Sequence, residues 1–184
     1  MDASWHRGVG ATSREPERRV DIGAAGRQSR GMTENQIVVQ RTIDASAKDL
    51  FEVLTNPEKH AQLDGSGFVR SVDQADRIQS VGQVFTMNME GDHMGGEYQT
   101  DNHVTAYAEN KMVGWQTAPA GTEPKGWEWL WELEPEGSDS TVVTLTYDWD
   151  KVTDEAILRK VSFPLVSESQ LEESLNNLAA AVTG

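Results

Sequence analysis

The sequence predicts an α+β fold in which a curved antiparallel sheet of about six to seven strands wraps around a long C-terminal helix. Apolar residues alternate along residues 37–44 and along much of residues 68–149, which is typical of strands. Short turn-forming runs separate neighbouring strands and favour an antiparallel meander. The last segment has apolar residues at helical spacing, and a sheet with one apolar face must bury that face against such a helix.

Two short helices are predicted after the first strand. Ser46 precedes an apolar helical face formed by Ala47, Leu50, Phe51 and Leu54, and it is a good N-cap residue. Asn56-Pro57 starts the second helix, because proline suits the first helical position. This helix should end near the turn-forming run of residues 64–67, Asp-Gly-Ser-Gly.

The rest of the chain is predicted to form six more strands and the final helix. The strands are expected over residues 68–72, 84–89, 98–107, 112–117, 127–133 and 141–149. In the fourth of the seven strands, Tyr98, Thr100, Asn102, Val104 and Ala106 should share one face. The helix has an apolar stripe of Leu171, Leu175, Leu178 and Val182. Ser167 and Gln170 form a plausible capping box before it.

The predicted strand over residues 127–133 is unusually aromatic. Five of the six tryptophans lie between residues 115 and 149, and Trp127, Trp129 and Trp131 occupy every second position of this strand. They share one face with Leu133, while Glu128, Leu130, Glu132 and Glu134 occupy the other. Large rings rarely fill a small core without gaps, so we predict an aromatic-walled cavity for an apolar ligand. Ordinary core packing is the alternative.

Length and charge indicate one domain with an N-terminal extension. The chain has 184 residues, enough for a single sizeable core. Residues 1–31 are rich in Gly, Ala, Arg and Ser, show no sustained period and carry a net charge of +2. We expect a disordered extension over residues 1–31 and the domain over residues 32–184. This domain carries a net charge of −16.

Composition excludes several classes of function. The chain has no cysteine, which excludes disulfides, thiolate metal sites and cysteine nucleophiles. The acidic domain disfavours nucleic acid and anionic membranes as partners. We see no membrane span, no signal peptide and no phosphate-cradling glycine loop. We therefore expect a cytoplasmic protein, either a monomer or a homodimer, that uses no cofactor.

The order of elements resembles the START-like helix-grip superfamily, also called SRPBCC, and its polyketide cyclase/dehydrase-like branch in particular. The resemblance covers about residues 35–183. It is carried by residues 42–57 (Thr-Ile-Asp-Ala-Ser-Ala-Lys-Asp-Leu-Phe-Glu-Val-Leu-Thr-Asn-Pro), by the run at 64–67, by residues 129–135 and by Tyr147-Asp-Trp149. The resemblance implies a groove between the sheet and the final helix that takes apolar ligands.

Ten residues are candidates for binding a ligand in that groove. They are Phe85, Met87, Met89, Tyr98, Asn102, Trp115, Trp127, Trp129, Trp131 and Tyr147. The rings and methionines offer contact area, and methionine adapts to varied shapes. Asn102 lies in mid-strand on an apolar face, where an amide must be hydrogen-bonded or free to bind. Bonding to backbone or water is an equally good interpretation for Asn102 and for the two tyrosines.

Candidates for chemistry are weaker. Asn102 and Tyr98 are the catalytic candidates, with Glu90, Asp92 and Glu97 as possible acids near one end of the groove. The remaining candidates are histidines. His60 is expected to face solvent from a charged helix, His93 to lie in a turn and His103 to point outward. No pair has metal-ligand spacing, so we expect no metal site.

The sequence therefore predicts a binding protein for a small hydrophobic molecule of polyketide-, lipid- or aromatic-like character. A cyclase or dehydratase acting on such a molecule in the same cavity is the alternative. An interaction module whose groove is filled by its own side chains is a third possibility. The fold alone does not decide whether the protein is an enzyme.

Overall fold

The structure, a computed structural model that describes residues 35–183, is built on one antiparallel sheet of seven strands. The predicted extension over residues 1–31 and the domain start at Met32 lie outside the described residues. The strands are β1 (Gln36–Ile43), β2 (Val69–Gln74), β3 (Val84–Gly91), β4 (Gly96–Ala108), β5 (Met112–Pro119), β6 (Glu128–Pro135) and β7 (Thr141–Asp148). Their order in the sheet is β1-β7-β6-β5-β4-β3-β2, which places the first and last strands side by side. The predicted α+β fold class is confirmed.

The helical starts predicted at Ser46, Asn56 and Ser167 have the expected side-chain caps. They are α1 (Ala47–Leu54), α2 (His60–Leu63) after a 3₁₀ turn (Pro57–Lys59), α3 (Glu155–Lys160) and α4 (Glu168–Thr183). The Ser46 side chain accepts a hydrogen bond from the backbone N–H of Asp49, and the Asn56 side chain accepts one from Glu58. Ser167 and Gln170 bond each other's backbone N–H, which is the predicted capping box.

The core lies between the concave face of the sheet and α4. The helical stripe of Leu171, Leu175 and Leu178 is fully buried, and Val182 packs at its end. α4 contacts β1, β7, α1 and α2, so it closes the groove over one half of the sheet. Burying both apolar surfaces together is what makes this arrangement favourable.

Two features differ from the predicted pattern. A register shift between Val104 and Ala106 changes the face of the following residues. Tyr107 therefore turns inward and packs edge-on against Phe51, whereas Ala106 lies beside Gly114 and Leu130, on the other face. A bulge adds one residue to one strand, and period-two counting cannot detect it. The helix α3 was not predicted either, because six residues are too few to show a helical period.

Among residues 35–183, no helix is long and apolar enough to cross a membrane.

Candidate functional site

A cavity of about 230 Å³ lies between the sheet and the helices. Its floor is the concave face of β3–β7, and its roof combines α2, the following loop, the segment between β7 and α4, and α4 itself. All ten residues predicted to face a ligand line this cavity, namely Phe85, Met87, Met89, Tyr98, Asn102, Trp115, Trp127, Trp129, Trp131 and Tyr147. Strand alternation places nine of them on the same face, whereas Trp127 lies just before β6, which begins at Glu128 and not at residue 127 as predicted.

Three rings form a row across the floor of the cavity. Trp115 of β5 is paired with Trp129 of β6, and Trp129 is paired with Tyr147 of β7. The Trp129 and Tyr147 rings are stacked, with centroids 4.1 Å apart and planes 7° apart. Trp131 lies one layer away and is 5% exposed. Because neighbouring strands lie about 4.8 Å apart, paired residues bring such rings into contact.

The polar groups of the floor bond to one another. Trp129 donates its indole N–H to the Thr117 hydroxyl at 3.2 Å, and Thr117 donates to the Asn102 side-chain oxygen at 2.7 Å. The Asn102 amide nitrogen donates to the Phe85 carbonyl at 3.3 Å and to the Thr100 hydroxyl at 3.4 Å. Asn102 is 4% exposed, so this chain satisfies an amide whose burial would otherwise be costly. The Asn102 side chain therefore links β3, β4 and β5 at the floor of the cavity.

His60 lies at the cavity wall, and the prediction that it faces solvent is wrong. The residue is 7% exposed, and its ring stacks on Trp115 at 4.9 Å and meets Phe85 edge-on at 5.3 Å. Its Nε2 atom lies 2.8 Å from the Leu54 carbonyl oxygen. Burial lowers the pKa of His60 to about 4, although the Leu54 bond and the nearby Asp64 carboxylate act in the opposite direction. The ring is therefore neutral at neutral pH.

The loop after α2 forms one rim of the cavity. The Asp64 carboxylate accepts hydrogen bonds from the Ser66 hydroxyl and from the backbone N–H groups of Ser66 and Val69. Gly65 donates its N–H to the Ser174 hydroxyl of α4 at 2.9 Å. A Cβ atom at position 65 would clash with the Gln170 carbonyl oxygen. The loop can dock on α4 this closely because residue 65 has no side chain.

Tyr98 lies at the same end of the cavity. Its side chain points inward, as predicted, because β3 and β4 pair without a shift at this point. The hydroxyl lies 3.3 Å from Nε2 of His93, whose ring packs on Phe68. Burial, with a contribution from the Asp64 carboxylate, raises the pKa of Tyr98 to about 12. The phenol is therefore a hydrogen-bonding group at neutral pH and a weak proton donor.

The remaining polar candidates are not brought together at the cavity. Glu90, Asp92 and Glu97 are exposed, and Glu90 forms an ion pair with Arg70 at 3.4 Å. They do not line the cavity, so their proposed role as acids within it is wrong. His103 lies on the face of β4 opposite Asn102, as predicted. Within residues 35–183, no three His, Asp or Glu side chains converge to hold a metal ion.

Sequence reasoning missed the part of the wall that lies between β7 and α4. Ile157, Lys160, Phe163 and Val166 line the cavity there. The Phe163 ring packs against Trp127 at 5.8 Å and against Trp149 at 6.2 Å, which ties this segment to the aromatic strand. The sequence of this segment offers apolar residues without helical or strand periodicity, and such residues do not show which way their side chains point.

Comparisons with known proteins agree with this fold. The profile of the family described as Activator of Hsp90 ATPase homolog 1-like protein, AHSA1, matches residues 44–183. The chain belongs to the AHSA1-like family. This family lies within the START-like helix-grip superfamily, so the predicted superfamily is confirmed. The predicted polyketide cyclase/dehydrase-like branch stays a prediction.

Relatives of this AHSA1-like chain are similar in fold and partly in sequence. An uncharacterised protein of Mycobacterium tuberculosis, Rv0088, is 32% identical over 145 residues, which cover 74% of this chain and 61% of that protein. The chain thus spans about three fifths of the length of the curated relatives that it matches. The solution structure of the Aha1 dimer from Colwellia psychrerythraea is 23% identical, with a TM-score of 0.52 over 82% of this chain and 96% of that one. An Arthrobacter aurescens protein has a TM-score of 0.60 at 15% identity, over 80% of this chain and 86% of that one.

Proposed function

We propose that this protein binds a small hydrophobic molecule, of polyketide-, lipid- or aromatic-like character, in the cavity between the sheet and α4. The observation that carries the proposal is the row of Trp115, Trp129 and Tyr147 along the floor of an open cavity of about 230 Å³. This volume is slightly below the range of roughly 300–1,000 Å³ for sites that hold drug-sized ligands. One small aromatic molecule or a short lipid-like chain would suit it.

The polar groups of the floor support binding more than catalysis. Asn102, Thr117 and Trp129 are bonded to one another, so a ligand needs to displace none of them to pack against the exposed parts of the rings. Affinity would come mainly from apolar burial, at roughly 25 cal/mol per Å² removed from water. An indole provides a large contact area without any reactive group.

The test uses the full chain and a neutral fluorescent probe, N-phenyl-1-naphthylamine. We expect saturable binding to the native protein and about tenfold weaker binding to Trp129→Ala, because the central ring of the floor is lost. Leu130→Ala is the matched control, since Leu130 lies next in β6 on the opposite face. A folded Trp129→Ala variant that binds the probe as the native protein does would contradict the proposal. Native mass spectrometry of freshly purified protein gives an independent search for a bound molecule.

A cyclase or dehydratase is the second candidate, because an ionisable side chain, the imidazole of His60, lies at the cavity wall. A pKa of about 4 makes His60 a poor base at neutral pH, because general bases work best near the operating pH. Asn102 is hydrogen-bonded, and the Tyr98 pKa of about 12 opposes proton transfer. Turnover that survives Asn102→Ala combined with Tyr98→Phe would remove both residues from any catalytic role.

We propose that the protein is either a monomer or a homodimer. A similar protein, from Colwellia psychrerythraea, is described as a dimer. Light scattering of the purified full chain distinguishes the two states.

A further inference from the structure

The imidazole of His60 is held in one orientation at the cavity wall. Trp115 stacks on one side of the ring, with planes 18° apart, and Phe85 meets it edge-on at 78°. Both neighbours also line the cavity. A buried ring between two aromatic neighbours has little freedom to rotate, so its two nitrogen atoms keep their directions.

The hydrogen bond to α1 fixes which nitrogen carries the proton. The Leu54 carbonyl oxygen can only accept, and it lies 2.8 Å from Nε2, so Nε2 carries the hydrogen. The neutral ring then presents a lone pair at Nδ1. Within residues 35–183, no group forms a hydrogen bond with Nδ1. Side-chain atoms that are both fully buried and without a partner do not include Nδ1, so this atom is not fully buried. It therefore keeps accessible surface on a residue that forms part of the cavity wall.

We propose that Nδ1 of His60 accepts a hydrogen bond from a hydroxyl group of the bound molecule. The site then selects neutral, hydroxylated aromatic molecules over ethers and hydrocarbons of the same shape. This inference rests on the proposed function, since it requires a ligand in the cavity. A site built to bond a buried donor rejects an analogue that lacks the donor, because its own polar group is then left unpaired.

The groups next to His60 also disfavour an anion beside Nδ1, while Lys160, a cation at the cavity wall, lies in the segment between β7 and α4. A carboxylate offers no proton to the Nδ1 lone pair, and the Asp64 carboxylate is close enough to act on the His60 ring electrostatically. The Trp115 indole stacks on the His60 ring, and contact with the rest of the indole surface suits an aromatic framework. A neutral phenol offers a proton to Nδ1, carries no negative charge and has an aromatic framework.

The experiment compares 2-naphthol with 2-methoxynaphthalene, which has the same ring system but no donor. Both are measured on the full chain by displacement of N-phenyl-1-naphthylamine. We expect 2-naphthol to bind about five- to tenfold more tightly, as one hydrogen bond predicts. His60→Phe keeps an aromatic ring between Trp115 and Phe85, and it should make the two affinities equal.

The outcomes separate this inference from the proposed function. If both naphthalenes bind the native protein equally, the hydrogen bond to His60 is wrong and the hydrophobic site stands. If the preference for 2-naphthol persists in His60→Phe, another acceptor serves the hydroxyl, and the inference fails. If neither compound nor the probe binds, the proposed function fails as well.

A second measurement needs no substitution and covers the case in which His60→Phe does not fold. Long-range ¹⁵N–¹H spectra of the native protein report the tautomer and hydrogen bonding of each histidine. We expect a neutral His60 with the proton on Nε2, and a Nδ1 resonance that moves upfield when 2-naphthol is added but not with 2-methoxynaphthalene. An unchanged Nδ1 resonance at saturating 2-naphthol would overturn the inference.

Discussion

The two sides of the cavity are built in different ways. The sheet wall, formed by Trp115, Trp129, Trp131 and Tyr147, is held by regular pairing of β5, β6 and β7. The helix wall, formed by His60, Leu63, Asp64 and Ser66, comes from one turn of helix and a glycine-containing loop. In the first, the Trp129 indole N–H is bonded within the sheet, and the second offers a hydrogen-bond acceptor with no partner among the described residues. We infer that the sheet wall supplies contact area for a ligand and that the helix wall supplies selectivity.

The helix wall depends on its contact with α4. Gly65→Ala breaks this contact, and we expect it to lower the free energy of unfolding more than the other substitutions do. The new methyl group would meet the Gln170 carbonyl oxygen and the Glu173 Cβ atom, neither of which can yield without moving α4. We expect a loss of about 3 kcal/mol in the free energy of unfolding, typical of severe overpacking. Urea denaturation measures it.

Gly67→Ala in the same loop is the matched control. Its Cβ would meet no atom within 4 Å, and its cost is limited to a backbone φ of +78°, or about 1 kcal/mol. Equal destabilisation by the two substitutions would show that the loop is not clamped against α4.

We expect a fall in pH to destabilise the protein through protonation of His60 in the helix wall. The folded pKa of about 4 lies below the ordinary value of 6.5, so the unfolded chain binds a proton that the folded chain does not. The contribution of His60 to stability is therefore complete above pH 6.5 and is lost as the pH falls to about 4. The loss amounts to about 3 kcal/mol over this range.

Urea denaturation of the native protein and of His60→Phe at several pH values checks this expectation. Carboxylates titrate in both proteins, so the difference between the two curves isolates the imidazole. Parallel curves between pH 6.5 and 4 would show that His60 is not buried as a neutral ring.

The same comparison explains how much the sequence could predict. The sheet wall follows from local alternation, because each tryptophan of β6 is two residues from the next. All ten predicted residues accordingly lie along the cavity, although their role in binding stays a prediction. His60 lies in a helix of four residues that follows the charged pair Glu58 and Lys59. Its burial depends on Trp115 and Phe85, more than 20 positions away in the chain. No short-range pattern carries that information.

The bulge in β4 marks a second limit of the same kind. Strict alternation places Ala106 inside and Tyr107 outside, and one extra residue after Val104 reverses both. A bulge is set by what the neighbouring strands need, and here it places an aromatic ring against Phe51 of α1. Local periodicity therefore predicts a strand well until a tertiary contact changes the register.

In the sheet wall, the Thr117 hydroxyl joins Asn102 to Trp129 by hydrogen bonds. Thr117→Val removes both bonds, and we expect it to have the smallest of the three effects on stability. Valine keeps the shape of threonine, but the Asn102 side-chain oxygen loses its donor and the Trp129 indole N–H loses its acceptor. Leaving buried polar groups unpaired costs about 1–3 kcal/mol, so we expect a loss of about 2 kcal/mol in urea denaturation. The Trp129 ring would keep its stacking on Tyr147.

Thr144→Val in β7 is the matched control for that substitution. The Thr144 hydroxyl accepts a hydrogen bond from Gln40 at an exposed position, where water replaces a lost partner at little cost. We expect a change below about 0.5 kcal/mol there. If Thr117→Val is equally mild, the Asn102 amide is satisfied without the chain that joins it to Trp129. Water in the cavity would then be the partner of this amide, so the floor would also present a polar group to a ligand, and the division between a sheet wall for contact and a helix wall for selectivity would fail.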